Sequence, residues 1–239
     1  MSIAENYAVV VQNIQSAREK RAAQTGMDQP VQLIAVTKNH TIAEMEEAYE
    51  LGMKVVGENR VQEALAKFDH FQDRLEYHLL GHLQTNKVKQ AVSFFHLIHS
   101  VDSLRLMQQI DRHAAAVGKV QAVLLEVNVG EEATKFGLAF DEVIPFLAEA
   151  SQFSHVSIEG LMTVAPHFDD PEATRPIFRK LYQLFTAIKD KSYENCNMKW
   201  LSMGMTNDYP IAIEEGANVV RVGTAIFGER NYAVELTRR

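Results

Sequence analysis

A single (β/α)8 TIM barrel with an extra N-terminal helix is the fold class this sequence predicts, and three observations predict it. Short apolar runs alternate with helix-length stretches about eight times along the 239 residues, the rhythm of parallel strands joined by right-handed crossovers. The runs are almost continuously apolar, as in Val123-Leu124-Leu125, which suits strands covered on both faces. The length is close to the roughly 250 residues of such a barrel, and no proline- or serine-rich linker divides it. Residues 1–239 are therefore expected to form one domain. An open doubly wound sheet is the alternative, weakened because no Gly-x-Gly-x-x-Gly turn follows the first strand.

Ile3, Tyr7, Val10, Val11, Ile14 and Ala17 recur at helical spacing, so the first two dozen residues form an amphipathic helix ending near Gly26 and covering an apolar face of the core. Strands are expected at 32–37, 54–57, 77–80, 96–99, 121–128, 156–161, 199–202 and 219–222. Between them, Thr41 to Glu44 forms a capping box and Gly52 stops the helix it opens. Further helices are expected over 60–68, 84–92, 102–116, 140–151, 172–189 and 208–215. Leu51-Gly52-Met53-Lys54-Val55-Val56-Gly57 echoes Glu215-Gly216-Ala217-Asn218-Val219-Val220-Arg221, but the shared grammar of helix-to-strand junctions explains this without duplication.

A hydrophobic content of 46% with 23% charged residues describes a folded globule with a sizeable core. The net charge of −7 offers no long-range attraction for polyanions, which argues against nucleic acid or an anionic membrane surface as partner. No apolar stretch approaches the roughly 20 residues that cross a bilayer, and no signal peptide is evident. The single cysteine, Cys196, excludes an internal disulfide and suits a reducing compartment, so a cytoplasmic protein is expected. Its neighbours Asn195, Asn197 and Met198 supply neither positive charge nor a base, which makes it an inert thiol.

In a barrel, residues at the C-terminal strand ends become neighbours whatever their sequence separation. Strand one delivers Lys38, strand two Glu58 and Asn59, and strand three His78, Gly81 and His82. Strand seven delivers Ser202-Met203-Gly204-Met205-Thr206, and strand eight Arg221 to Thr224. An amine forms a Schiff base with an aldehyde, glycine-containing turns with hydroxyls suit a phosphate, and a guanidinium addresses a ring nitrogen. Together these are the minimum equipment for holding pyridoxal phosphate. A lone lysine at a strand end is most often solvated. Two such turns on adjacent strands, facing Lys38 and Arg221 across a barrel mouth, shift the balance towards a cofactor site.

Several blocks then carry a resemblance: Ala35-Val36-Thr37-Lys38, Gly57-Glu58-Asn59, His78-Leu79-Leu80-Gly81-His82-Leu83-Gln84-Thr85-Asn86-Lys87, Gly160-Leu161-Met162, Leu201-Ser202-Met203-Gly204-Met205-Thr206-Asn207-Asp208 and Val220-Arg221-Val222-Gly223-Thr224-Ala225-Ile226-Phe227-Gly228. Through nearly the whole chain the sequence resembles the YggS/PROSC family of pyridoxal phosphate homeostasis proteins. The resemblance implies a barrel related to the alanine racemase N-terminal domain, carrying pyridoxal 5'-phosphate on Lys38. It also implies a part in managing free cofactor and other B6 vitamers, with pyridoxal phosphate-dependent apoenzymes as recipients. His82 stands where many members have proline, outside the expected phosphate turns.

On these positions Lys38 would form the internal aldimine. Ser202, Gly204, Thr206, Gly223 and Thr224 would hold the phosphate, with Met203 inside the same binding turn. Asn59 would hydrogen-bond near the ring or position Lys38, and Arg221 would face the pyridine nitrogen. An arginine does not surrender its proton, so it leaves that nitrogen unprotonated and the ring a poor electron sink. Racemisation also needs a second base, which in the racemases this fold resembles is a tyrosine from an additional β domain. Only 18 residues follow Arg221, and Tyr232 among them is expected to be structural. The expectation is thus a monomeric carrier with little or no turnover and no catalytic residues; the alternative is a pyridoxal phosphate-dependent amino-acid racemase. A cofactor-free phosphate-binding barrel is a third candidate.

Lys135, in a loop after the fifth strand, is suggested by the resemblance to take part in cofactor exchange, against the plainer expectation of a surface lysine. His78 and His82 are four apart, but Leu79-Leu80-Gly81 reads as a strand entering a turn, so ring packing or solvation is expected rather than metal binding. Met162, Met203 and Met205 are expected to pack.

Overall fold

In a computed structural model of the chain, which describes residues 1–132, 136–191 and 193–229, eight parallel strands close into a barrel in the order β1 to β8. The strands are β1 (Gln32–Val36), β2 (Val55–Glu58), β3 (Glu76–Leu79), β4 (Leu97–Val101), β5 (Gln121–Glu126), β6 (Val156–Met162), β7 (Cys196–Ser202) and β8 (Val219–Val222). Closure is made by β1 and β8, which pair in parallel from Gln32 opposite Val219 to Ala35 opposite Val222. The helices are α1 (Ile3–Thr25), α2 (Ile42–Glu50), α3 (Val61–Phe71), α4 (Val88–Phe94), α5 (Leu104–Ala116), α6 (Val143–Ala150), α7 (Arg175–Lys189), α8 (Tyr209–Glu214) and α9 (Thr224–Phe227). This is the expected (β/α)8 barrel with its extra N-terminal helix.

Each strand divides its side chains between two burials. Ala35, Val56, Tyr77, Leu79, Ile98, Val123, Leu125, Leu161, Leu201 and Val220 face outward into the layer shared with the helices. The alternate positions look into the lumen, where Ile34, Val55 and Val219 pack with Leu80 and Trp200, and Leu97, Leu124 and Met162 pack on the other side of the same tryptophan. Gly160 in β6 marks the tightest approach: a Cβ there would lie 1.8 Å from the Trp200 carbonyl oxygen, beside a register shift in both of its strand pairings.

Local signals account for most boundaries. Ser2 and Glu5 form a capping box on α1, and Gly26 closes it at φ 74°. Thr41 and Glu44 cap α2 as expected. Val10, Ile14 and Ala17 bury the inner stripe of α1, whereas Val11 is 44% exposed and lies off it. Arg21 on that stripe is fully buried and donates to the carbonyls of Ala217 at 2.9 Å and Gln29 at 2.6 Å. Asn6 adds a bond to the Ile226 carbonyl at 2.9 Å, so α1 is docked on α8 and α9 by polar clamps as well as apolar contact.

The structure shifts some edges. β5 ends at Glu126 rather than 128: Val127 still donates to the Met162 carbonyl at 2.8 Å, but it pairs with Leu138 in an isolated bridge. α4 is preceded by a tight helical turn over Thr85–Lys87 and starts at Val88 rather than 84. β7 starts at Cys196, before the expected 199. Among the described residues no helix is long and apolar enough to cross a membrane.

Candidate functional site

The C-terminal strand ends gather around a cavity of about 400 Å³ lined by Lys38, Thr206, Arg221, Gly223 and Thr224, with His40 and the loop Ala165–Phe168 at its rim. Five of the residues expected from sequence are therefore brought together. Lys38, half-buried, follows β1 in a turn that Asn39 completes at φ 63°. That turn is braced from below. Lys67 of α3 donates to the Thr37 carbonyl at 2.7 Å, to Glu58 Oε1 at 2.8 Å and to Glu63 Oε1 at 2.9 Å, while the Thr37 hydroxyl donates to Glu58 at 2.6 Å. The Asn39 N–H donates to the same Glu63 oxygen. Burial pushes the Glu58 carboxyl up, and Lys67 pulls it back. Glu58 is thus a bracing residue outside the cavity.

Arg221, 4% exposed, is fixed on both arms: Nη1 donates to Ser202 Oγ at 2.7 Å and Nη2 to the Thr163 carbonyl at 2.8 Å. Burial lowers its pKa to about 10, with Asp208 and Glu126 opposing, so the guanidinium stays charged at neutral pH. Asp208 itself accepts from the Met205 N–H at 2.6 Å and tightens the turn after β7. Gly204 sits in that turn at φ 93°, and a Cβ on it would lie 2.6 Å from Ala212 Cβ and 2.8 Å from Tyr209 Cα. The close seating of α8 under the cavity therefore requires glycine there.

Four of the expected residues do not line this cavity. The Ser202 side chain is fully buried and turned into the lumen, where it holds Arg221 and lies 3.1 Å from His99 Nδ1. Met203 is fully buried in the outer layer, with its N–H donated to the Val219 carbonyl at 3.2 Å. The Gly204 carbonyl accepts from the Arg221 N–H at 3.1 Å. Asn59 lines a second cavity of about 260 Å³ with Gly81, His82, Glu126, Asn128 and Phe136. Alternation accounts for Ser202 and Met203: neighbours at the end of β7 point in opposite directions, so a sequence block does not enter a cavity whole.

His78 and His82 part company. His78 enters the lumen, while His82 stacks on Phe136 with ring centroids 4.1 Å apart. Burial raises the Cys196 thiol to about 11, which suits an inert role. Lys135 and Tyr232 lie outside the described residues. The sequence reasoning passed over His40, Pro166, His167 and Phe168, although the convergence of strand ends that singled out strands seven and eight applies equally to strand six.

Fold and mouth together define a barrel of the alanine racemase N-terminal class, and the sequence model of the family described as alanine racemase, N-terminal domain, matches residues 8–231. A pyridoxal phosphate homeostasis protein of Aquifex aeolicus is 41% identical over 97% of this chain and 100% of its own length. PipY of Synechococcus elongatus, solved with PLP bound, superposes with a TM-score of 0.77 at 38% identity over 89% of this chain and 100% of its own. The chain belongs to the pyridoxal phosphate homeostasis protein family. An alanine racemase of Clostridium difficile shares the fold alone, with a TM-score of 0.69 at 14% identity over 95% of this chain and 60% of its own.

Proposed function

We propose that the chain binds pyridoxal 5'-phosphate in the Lys38 cavity, tethers it reversibly as a Schiff base on Lys38, and serves intracellular homeostasis of pyridoxal phosphate and other B6 vitamers with little or no turnover. One observation carries this: a primary amine from β1 and a buried, doubly anchored guanidinium from β8 line the same cavity as the Thr206 and Thr224 hydroxyls and Gly223. The donor set fits the cofactor group by group. When bound, pyridoxal phosphate supplies an aldehyde that condenses reversibly with an amine, which is the chemistry a tether needs.

Each residue then has a task. Lys38 presents its amine from a turn braced by Lys67, Glu58 and Glu63. Thr206 and Thr224, with the backbone of the Gly223 turn, would hold the phosphate, and the turn at Gly204 would position Thr206. Ser202 and Met203 support that turn from within, Ser202 by orienting Arg221 and Met203 by packing. Arg221 would face the pyridine nitrogen and, keeping its own proton, would leave the ring a weak electron sink, which disfavours amino-acid chemistry. Asn59, which lines the second cavity, would hydrogen-bond near the ring or position Lys38. The same reading takes the protein as a cytoplasmic monomer that hands the cofactor to pyridoxal phosphate-dependent apoenzymes. The PLP-bound PipY structure and the name shared by the relatives support the binding of pyridoxal phosphate and a part in its homeostasis.

The test is absorption spectroscopy of the purified chain with added pyridoxal phosphate, followed by borohydride reduction and mapping of the modified residue. A visible chromophore trapped on Lys38 is expected, and Lys38→Ala should lose it. Retention of the same reducible chromophore in Lys38→Ala overturns the tether. Exchange of the α-proton of added amino acids, abolished by Lys38→Ala, would favour the racemase instead.

A further inference from the structure

Barrel lumens are ordinarily filled with apolar layers, yet a row of polar side chains crosses this one. Glu76 opens β3 at the floor of the barrel, the end opposite the cavity, and its side chain is 49% exposed. Its Oε1 lies 2.8 Å from His78 Nε2, and His78 Nδ1 lies 3.0 Å from His99 Nε2. His99 Nδ1 lies 3.1 Å from Ser202 Oγ, which accepts from Arg221 Nη1 at 2.7 Å. The row thus passes from β3 and β4 across to β7 and β8, and from floor to mouth.

When each ring carries one proton, a single direction of donation satisfies every link. A guanidinium only donates, so Ser202 Oγ accepts from it and sends its own proton to His99 Nδ1. His99 is fully buried, and burial first, with the guanidinium of Arg221 behind it, holds its pKa well below the usual histidine value. Its single proton then sits on Nε2 and is donated to His78 Nδ1. His78 in turn donates from Nε2 to Glu76, a carboxyl that this hydrogen bond keeps below its ordinary range. Every link points the same way, from the cation at the mouth to the carboxylate at the floor, and aligned links polarise one another.

We propose that Glu76, His78 and His99 are positioning residues for the cofactor: acting through Ser202, they fix the rotamer of Arg221 and so set how its guanidinium meets the pyridine nitrogen. The proposal rests on the pyridoxal phosphate reading of the mouth. None of the three side chains lines the Lys38 cavity, so their influence on a bound ligand has to pass through Arg221. A purely structural row would change stability and leave the cofactor's spectrum untouched.

Two measurements test this. In the full chain labelled with 15N-histidine and without added ligand, NMR at pH 7 should show His99 as a neutral Nε2–H tautomer. An Nδ1–H tautomer or a charged ring at His99 overturns the direction of the row and the proposal with it. Glu76→Gln, Glu76→Asp and His99→Asn are then titrated with pyridoxal phosphate beside the native chain. Glu76→Gln should weaken binding about fivefold and shift the absorbance maximum of the bound cofactor, while Glu76→Asp restores both. His99→Asn keeps an acceptor for Ser202 but cuts the link to His78, and should reproduce the Glu76→Gln change. Native affinity and spectrum in Glu76→Gln and His99→Asn sink the proposal. If the native chain takes up no cofactor, the proposal falls with the reading of the mouth, and the tautomers show whether the row itself exists.

Discussion

Arg221 reaches across to Ser202, donating Nη1 to its hydroxyl at 2.7 Å, and the same guanidinium is tied to Thr163 at 2.8 Å. The arginine of the last strand is thereby fixed by the ends of two neighbouring strands. Ser202→Ala removes the acceptor of one arm and the donor to His99 at once. Leaving buried polar atoms unpaired costs about 1 to 3 kcal/mol, so urea unfolding should show a loss of that size. An unchanged midpoint would contradict the anchoring role.

Lys67 is the cation that permits Glu58 to be buried under the Lys38 turn. Lys67→Met keeps the length of the stem but leaves Glu58 without its charge partner. A loss of about 3 to 5 kcal/mol is expected. The double variant with Glu58→Gln should recover part of it, and thermal unfolding of the two variants decides the matter.

Glu126, at the end of β5, has its carboxyl raised to about 7 by burial first and by Asp102 second, against the pull of Arg221. A raised acid binds its proton more tightly in the folded chain than in the unfolded one. The stability it contributes is therefore fully present below its ordinary value near 4.5 and is lost as pH climbs through 7. Glu126→Gln should match the native chain at pH 4.5 and exceed it at pH 8 by about 1 to 2 kcal/mol, allowing for solvent screening. Parallel stability curves for the two proteins across that range would show that the carboxyl is not raised.

Gly160→Ala would place a Cβ 1.8 Å from the Trp200 carbonyl oxygen, a backbone atom with no flexible side chain to give way. Strands β6 and β7 would have to part, at a cost of about 3 kcal/mol. Urea denaturation gives the number, and a cost under about 1 kcal/mol would mean that the strands part easily.

The eight strands were legible because most runs are largely apolar and alternate with helix-length stretches, and the capping pair Thr41 and Glu44 shows how local such signals are. Lys38 and Arg221 were legible because strand ends converge by the geometry of the fold. His99 was not. In β4 the run Leu97-Ile98-His99-Ser100 is buried on both faces, so alternation no longer tells which side looks inward. Lys67 was hidden for another reason: on α3 it reads as one more surface lysine, and only the placement of that helix beside β1 and β2 makes it a buried brace. Ser202 and Asn59 show the same limit at the site, since which way a side chain leaves a strand end depends on backbone turns that composition does not encode.

The clasp of Arg21 on the Ala217 carbonyl joins residues 196 positions apart, and the β1 to β8 pairing spans a similar stretch of chain. Neither contact can form on a ribosome until nearly the whole barrel has emerged. The edges of β1 and β8 should thus stay unpaired until a late, cooperative closure. Because Lys38 and Arg221 stand on those two strands, the cavity and the finished fold should come into being in a single step.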